Sequence, residues 1–409
     1  MTARVDPKII DLLKEKKDKP HASLEYFPPR TEEGVKNLYA RMDRMKENVA
    51  PLFTDVTWGA GGSTADLSME IALTMHSKGH VANLHMTCTN MAGVDDPKKG
   101  IKSALQQALD GGIRNIVALR GDPPAGENEW KAAEGGFTCA LDLVKFIRAE
   151  FGSEFGISVA GYPEGHPNAI SKVDDPNTMS EAEKGRSSTD EDGVVYTCKD
   201  EDYKKEMAYL KEKVDAGADF IITQMFFDTK VFIQFVKDCR TYGITCPVVP
   251  GLMCLNAYAG FRKMTKFCKT RVPEDLDTDI EKVDKDDKDA MKVFGVEYGA
   301  KMCRELVEFL DTDVAPYALH FYTLNLEKVV YGILEMIGIM EKQVEADEAD
   351  ALTMAAVGSA WARVGDTVKC ATGTGVVTEM DQSTGTATIK LNDSDTIVKC
   401  QKSEYEKVF

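Results

Sequence analysis

The chain has 409 residues, 43% of them hydrophobic, with 67 acidic against 50 basic side chains and a formal net charge of −17. That length and apolar content can bury the core of one barrel-sized domain plus an appendage, which excludes disorder throughout. The negative balance opposes a nucleic-acid backbone, and no Lys/Arg cluster with interleaved aromatics offsets it, so nucleic acid is excluded as the expected partner.

At the N-terminus, residues 1–20 are rich in Lys, Asp and Glu around Ile9, Ile10, Leu12 and Leu13, so they lack the apolar run of a signal peptide. No later stretch is long and apolar enough to span a membrane. The ten cysteines are scattered singly with no C-x-x-C pair, a pattern of buried thiols in a reducing compartment, and a cytoplasmic address is expected.

From residue 22 onward, short β-rich apolar runs alternate with helical patterns. Eight runs stand out: 22–27, 53–58, 81–88, 115–119, 157–161, 220–226, 247–252 and 317–322. Between them lie amphipathic segments such as 32–48, 64–78 and 204–216. Eight β/α units in roughly 300 residues predict a (β/α)₈ TIM barrel; the alternative is a doubly wound open sheet. Residues 174–202 carry ten acidic and three basic side chains and read as a solvated excursion between the fifth and sixth units. Residues 274–289 are similarly acid-rich and precede a helical pattern at 293–310. The barrel domain is expected to occupy residues 1–345, followed by a helical linker at 346–362. Four short β-like runs between residues 364 and 400 then predict a small antiparallel β domain over 363–409.

Barrel enzymes gather their chemistry at the C-terminal ends of the strands. The first strand holds Glu25 between Leu24 and Tyr26, where desolvation favours a protonated carboxyl suited to general-acid work; the alternative is a Glu paired with Lys or Arg across the barrel. The second strand ends in Thr57-Trp58 and a Gly-rich turn, Gly59-Ala60-Gly61-Gly62-Ser63, that could approach phosphate. A Rossmann fingerprint is not complete there, because the third glycine is missing. His76 and His80 have H-x-x-x-H spacing, with His85 on the next strand, but no carboxylate or thiolate motif completes a ligand set and no metal site is expected. The fourth strand ends in Arg120-Gly121-Asp122. These residues suit an anion, a close backbone approach and an amino-imine edge respectively, unless Arg120 and Asp122 simply pair. The fifth exits through Tyr162-Pro163-Glu164-Gly165-His166, and the sixth through Gln224, beside aromatics that offer faces to a flat ring.

Six segments in order resemble the methylenetetrahydrofolate reductase family over residues 23–328. They are Leu24-Glu25-Tyr26-Phe27-Pro28-Pro29-Arg30, Val56-Thr57-Trp58-Gly59-Ala60-Gly61, Ala118-Leu119-Arg120-Gly121-Asp122, Tyr162-Pro163-Glu164-Gly165-His166-Pro167, the run from Ala216 to Gln224, and His320-Phe321-Tyr322-Thr323-Leu324-Asn325. The resemblance implies an FAD-bearing TIM barrel that uses NADH or NADPH to reduce methylenetetrahydrofolate by ping-pong chemistry, in the one-carbon supply to methionine biosynthesis. It puts Thr57, Trp58, His85, Arg120, Gly121, Asp122, Cys139, Ala140, Tyr162, His166, Ala169, Glu206 and Lys213 where the family contacts the flavin, and Asp122, Gln224, Tyr322 and Tyr258 where it holds folate. Glu25 and Asp122 take the catalytic positions. A homo-oligomer is compatible with it.

Three positions depart from the family pattern: Cys139 where many members have Tyr, Glu206 where they have Asp, and Leu326 where many have an Arg that could anchor the folate glutamate. Eukaryotic relatives often add a large S-adenosylmethionine-binding domain, which the residues after the barrel are too few to form. Two other classes remain as alternatives: a flavin barrel oxidising an amine such as proline, and a non-catalytic protein acting through the small β domain.

Overall fold

In the computed structural model, the described residues are 4–15, 20–58, 64–88, 96–122, 130–190, 192–312, 318–340, 367–370, 373–381, 386–392, 396–401 and 405–407. They form two compact units, Met1–Lys342 and Gln343–Phe409. The linker expected at 346–362 and the glycine turn at 59–63 lie outside the described residues.

The first unit is the expected barrel. Its strands are His21–Tyr26, Thr54–Val56, Ala82–Thr87, Asn115–Leu119, Gly156–Gly161, Phe220–Thr223, a seventh in two pieces, and Ala318–Tyr322. All pair in parallel, and most of their residues are buried, as a sheet covered by helices requires. The seventh strand is divided by Pro250, which has no N–H to give. Val248–Val249 pairs with the sixth strand and Gly251–Met253 with the eighth, so the ring closes through the proline. The open-sheet alternative is thereby set aside.

The barrel's amino end is filled by a helix that the sequence pattern does not announce, Ile9–Glu15. Ile9, Ile10 and Leu13 pack with Phe53, Val117, Phe220 and Val249. Each such apolar side chain contributes about 1.5–3 kcal/mol relative to exposure. Asn115 pins the helix, accepting from Ile9 N at 2.8 Å and donating to the Pro7 carbonyl at 3.0 Å. With that end filled, the cavities gather at the carboxyl ends of the strands.

Side-chain caps start several outer helices: Thr31 accepts from Gly34 N, Asp96 from Lys98 N and Lys99 N, and Asp228 from Lys230 N. Each contributes about 1 kcal/mol. The acidic segment at 174–202 is more ordered than its composition predicts. Val195–Cys198 lies between Ile170–Lys172 and Ser188–Thr189 in an antiparallel sheet, and Ser180 and Glu183 form a capping box on the helix Glu181–Gly185. Thr197 and Cys198, at the end of its central strand, are buried there even though the surrounding sequence is charged.

Cys88, Cys139, Cys198, Cys239, Cys246, Cys254, Cys268 and Cys303 are free thiols, six of them buried. Among the described residues no helix is long and apolar enough to cross a membrane.

The second unit is an antiparallel sheet of five described strands, the four expected between 364 and 400 and one beyond them, in the order Ile397–Gln401, Thr386–Leu391, Gly373–Asp381, Thr367–Cys370, Tyr405–Lys407. Val377, Ala387, Ile389, Cys370 and Cys400 form its core. The extra strand is three residues long and polar, so it carries no apolar run.

Candidate active site

Parallel register sets Glu25 beside Asp55 and Tyr322, and Asp55 beside Asn83. Side chains two apart on a strand share a face, which brings His85 and His320 to the same interior layer. Glu25 Oε2 is 3.4 Å from His85 Nε2 and 3.6 Å from His320 Nε2. Asp55 Oδ2 accepts from His85 Nε2 at 3.1 Å and from Asn83 Nδ2 at 3.1 Å. Ser23 Oγ lies 2.9 Å from His320 Nδ1, and the His320 ring stacks on Phe53 at 5.7 Å. No Lys or Arg forms an ion pair with Glu25 among the described residues, so the partners of this carboxyl are histidines. Burial alone would push the His85 pKa down, but the Asp55 hydrogen bond and the charges of Glu25 and Asp55 outweigh it and hold the pKa above its ordinary value.

Glu25, Asp55 and His85 line a cavity of about 350 Å³ at the strands' carboxyl ends. Thr57, Trp58, Arg120, Gly121, Asp122, Tyr162, His166, Gln224 and Tyr322 line it as well, so these nine sequence-predicted residues meet Glu25 and His85 there. Trp58 is buried, and its Nε1 has no hydrogen-bond partner among the described residues. Gly121 adopts φ +92°, a conformation that an L side chain resists, where the chain leaves the fourth strand. Tyr322 donates its hydroxyl to the Thr223 carbonyl at 2.6 Å, and that placement depends on Gly251: a Cβ there would lie 2.2 Å from Thr223 O and 2.6 Å from the Tyr322 hydroxyl. Arg120 does not pair with Asp122; its guanidinium sits over the Trp130 ring at 5.5 Å and its Nε donates to Gly121 O at 3.3 Å.

A second cavity of about 300 Å³ shares Leu119, Arg120, Ala160, Tyr162 and His166 with the first. Cys139 and Ala140, at the N-terminus of the helix Ala140–Phe151, line it together with Glu206 and Lys213. Lys213 is 5% exposed, donates to the Ala160 carbonyl at 2.9 Å and lies over the Tyr209 ring. Burial draws its pKa down to about 8, against the opposing pull of Glu206. Burial, then Arg120 and Lys213, lower the His166 pKa to about 4, and His166 Nδ1 accepts from Asn168 N at 3.1 Å. The neutral ring therefore carries its proton on Nε2.

Two sequence-predicted residues do not line either cavity. Ala169 forms the turn Ala169 N to His166 O, and Tyr258 is tied to Glu281 and Arg262 in a charged network. Met253 and Met264 line the larger cavity instead. His76 and His80 share no site with His85: His76 binds Asp6 Oδ1 at 2.9 Å and His80 binds Thr54 Oγ1 at 3.0 Å. Glu25, Asp55 and His320 do offer ligand-type atoms within 4.8 Å of one another, a grouping that sequence spacing does not reveal. Asp55 is the principal residue missed. Its signal is a charged residue between Thr54 and Val56 in a wholly buried strand, the same signal that marks Glu25.

The family described as "Methylenetetrahydrofolate reductase" matches residues 8–338. Over 321 residues the chain is 48% identical to "Probable methylenetetrahydrofolate reductase (NADH)" of Oryza sativa subsp. japonica, covering 78% of this chain and 48% of that one. It is 36% identical over 323 residues to "Probable methylenetetrahydrofolate reductase (NADPH)" of Caenorhabditis elegans, covering 78% and 42%. With "5,10-methylenetetrahydrofolate reductase" of Pectobacterium carotovorum it shares 31% identity over 322 residues, covering 78% and 90%. The chain thus spans about half the length of the rice relative and nearly all of the bacterial one.

Proposed function

The chain belongs to the methylenetetrahydrofolate reductase family, and on that premise we propose that it reduces 5,10-methylenetetrahydrofolate to 5-methyltetrahydrofolate with NADH or NADPH, using bound FAD, with Glu25 as general acid. The observation that carries this reading is a proton-bearing residue type, Glu25, half-buried inside a cavity that adjoins a groove suited to a dinucleotide.

The residues present fit FAD. The two cavities share a wall, a helix N-terminus and two cations supply the positive field that a pyrophosphate needs, and Trp58 Nε1, without a hydrogen-bond partner among the described residues, offers a donor to a polar ring edge. Arg120, Cys139, Ala140, His166, Glu206 and Lys213 would hold the phosphate and adenine portion, and Thr57, Trp58, His85, Gly121 and Tyr162 the ring and ribityl portion. When bound, FAD supplies hydride transfer, accepting from the nicotinamide and giving to the folate in separate half-reactions.

The chain's own residues then do the rest. Glu25 gives a proton to the leaving ring nitrogen of the folate so that its five-membered ring opens. Asp122 faces the cation that opening creates and stabilises it. Gln224 and Tyr322 orient the pterin, and the methionines around them exclude water.

Steady-state kinetics tests the reading. NAD(P)H oxidation that depends on methylenetetrahydrofolate, with parallel double-reciprocal lines, is expected. Colourless protein that takes up no FAD, or oxidation indifferent to the folate, would overturn it. An amine such as proline reducing the flavin instead would favour the amine-oxidoreductase alternative.

A further inference from the structure

Asp55 lies two positions before the predicted flavin contacts, is wholly buried, and has no role in the chemistry described so far. Its Oδ2 accepts from both His85 and Asn83, while its Oδ1 has no partner among the described residues. His320 Nε2 is equally buried and equally without a hydrogen bond, 4.0 Å from Asp55 Oδ2. Two carboxyl groups therefore share one interior layer. Within it they form no ion pair with Lys or Arg among the described residues, and His85 touches both. A buried carboxylate without a counter-charge costs several kcal/mol, so the His85 ring is the group placed to supply one.

We propose that Asp55 is a positioning residue that keeps His85 protonated against Glu25, so that His85 steadies the Glu25 carboxylate after proton delivery and then returns a proton to it. This rests on the folate-reducing reading above. The proton balance is complete. Glu25 passes its carboxyl proton to the leaving nitrogen, which keeps the electron pair of the broken C–N bond. The imidazolium transfers its Nε2 proton to Glu25 Oε2 and becomes neutral, and it is recharged by water from the cavity, to which its side chain remains 12% exposed. The charged groups acting on His85 are Asp55 on the second strand and Glu25 on the first; both also act on Tyr322 of the eighth, whose His320 lies 3.6 Å from Glu25 Oε2, and the neighbour of His85 on the fourth, Val117, is apolar.

Two readouts test this. In ¹⁵N-histidine-labelled holoprotein at pH 7.5, the His85 ring, assigned by its loss in His85→Gln, is expected to show imidazolium shifts, and to turn neutral in Asp55→Asn. In stopped flow, the alkaline limb of the folate half-reaction in Asp55→Asn is expected to move down by about 1 to 3 on the pH scale, which is about tenfold or more in rate at pH 8. The nicotinamide half-reaction, which draws no proton from Glu25, should show no such displacement. A neutral His85 in the unaltered protein overturns the proposal even if Asp55→Asn does not fold, and so does an unmoved limb. Stoichiometric Zn²⁺ or Mn²⁺ binding that requires Asp55 and restores folate turnover would make the cluster a metal site and overturn it too. Protein that never reacts with methylenetetrahydrofolate instead refutes the functional reading, and the His85 charge state is still read independently.

Discussion

Replacing Glu25 with Gln keeps the side chain's shape and its contacts with His85 and His320 but removes the proton. The carboxyl is 17% exposed within the cavity, and its nearest ionisable partners are the two histidines at 3.4 and 3.6 Å. Among the described residues the carboxyl grouped with it is Asp55, which is fully buried and already accepts two hydrogen bonds. With no ready substitute, loss of the general acid should slow folate reduction by about 10²–10⁴-fold, or about 3–5 kcal/mol of barrier. The variant should keep FAD, melt within a few degrees of the parent protein, and still bleach its flavin with NAD(P)H, because that half-reaction moves a hydride and needs no proton at a leaving nitrogen. Anaerobic stopped flow at the flavin absorption band reads the two half-reactions separately. Equal slowing of both would show that Glu25 shapes the pocket, and the general-acid role would pass to another residue.

Asp122→Asn should reduce folate turnover by about 2–4 kcal/mol of transition-state stabilisation while leaving flavin retention nearly intact; unchanged turnover removes the role. Lys213→Met should weaken FAD binding by about 1.5–3 kcal/mol, the loss of one charge-assisted contact, measured by flavin release on dilution; undiminished retention would take Lys213 out of the phosphate groove. Gly251→Ala should destabilise the fold by about 1–3 kcal/mol and raise the folate KM, since its Cβ must displace the Tyr322 hydroxyl; a melting temperature and KM equal to the parent's would contradict that crowding. His80 supplies the pH prediction. It is 3% exposed, and burial, with Lys46 next, lowers its pKa to about 4. Above its unfolded pKa of about 6.5 both states are neutral and there is no penalty; as pH falls toward 4 the unfolded chain gains the proton first, costing about 3 kcal/mol by the lower limit. Thermal melts between pH 7.5 and 4.5 should therefore fall more steeply in the parent protein than in His80→Asn, and parallel slopes would refute the assignment.

The barrel is legible because its strands fall on β-rich runs that are apolar for most of their length, even where Glu25, Asp55, His85 or His320 interrupts them. The seventh shows its limit: its run includes Pro250, but only the pairing partners reveal that the proline divides the strand and still closes the ring. The helix Ile9–Glu15 escapes because seven residues are too few to display a period. Composition misleads at 174–202, where acidic neighbours hide the short strand Val195–Cys198. At the site, Glu25, Arg120, Gly121 and Asp122 are visible as polar residues at strand ends. Asp55 and His320 are visible only as anomalies inside apolar strands, and their meeting depends on register, which no single strand encodes. Tyr258 illustrates the reverse, an aromatic suited to stacking whose hydroxyl is instead held by Glu281 and Arg262.

The most direct test of folate reduction by this barrel is a single anaerobic turnover. Purified protein, reduced with one equivalent of NAD(P)H and freed of nucleotide, is mixed with methylenetetrahydrofolate while flavin absorbance is followed and the folate product is identified by mass. The account predicts rapid return of the oxidised flavin spectrum with one equivalent of 5-methyltetrahydrofolate formed. Flavin that stays reduced in the presence of saturating methylenetetrahydrofolate, yet reoxidises normally in air, would contradict it.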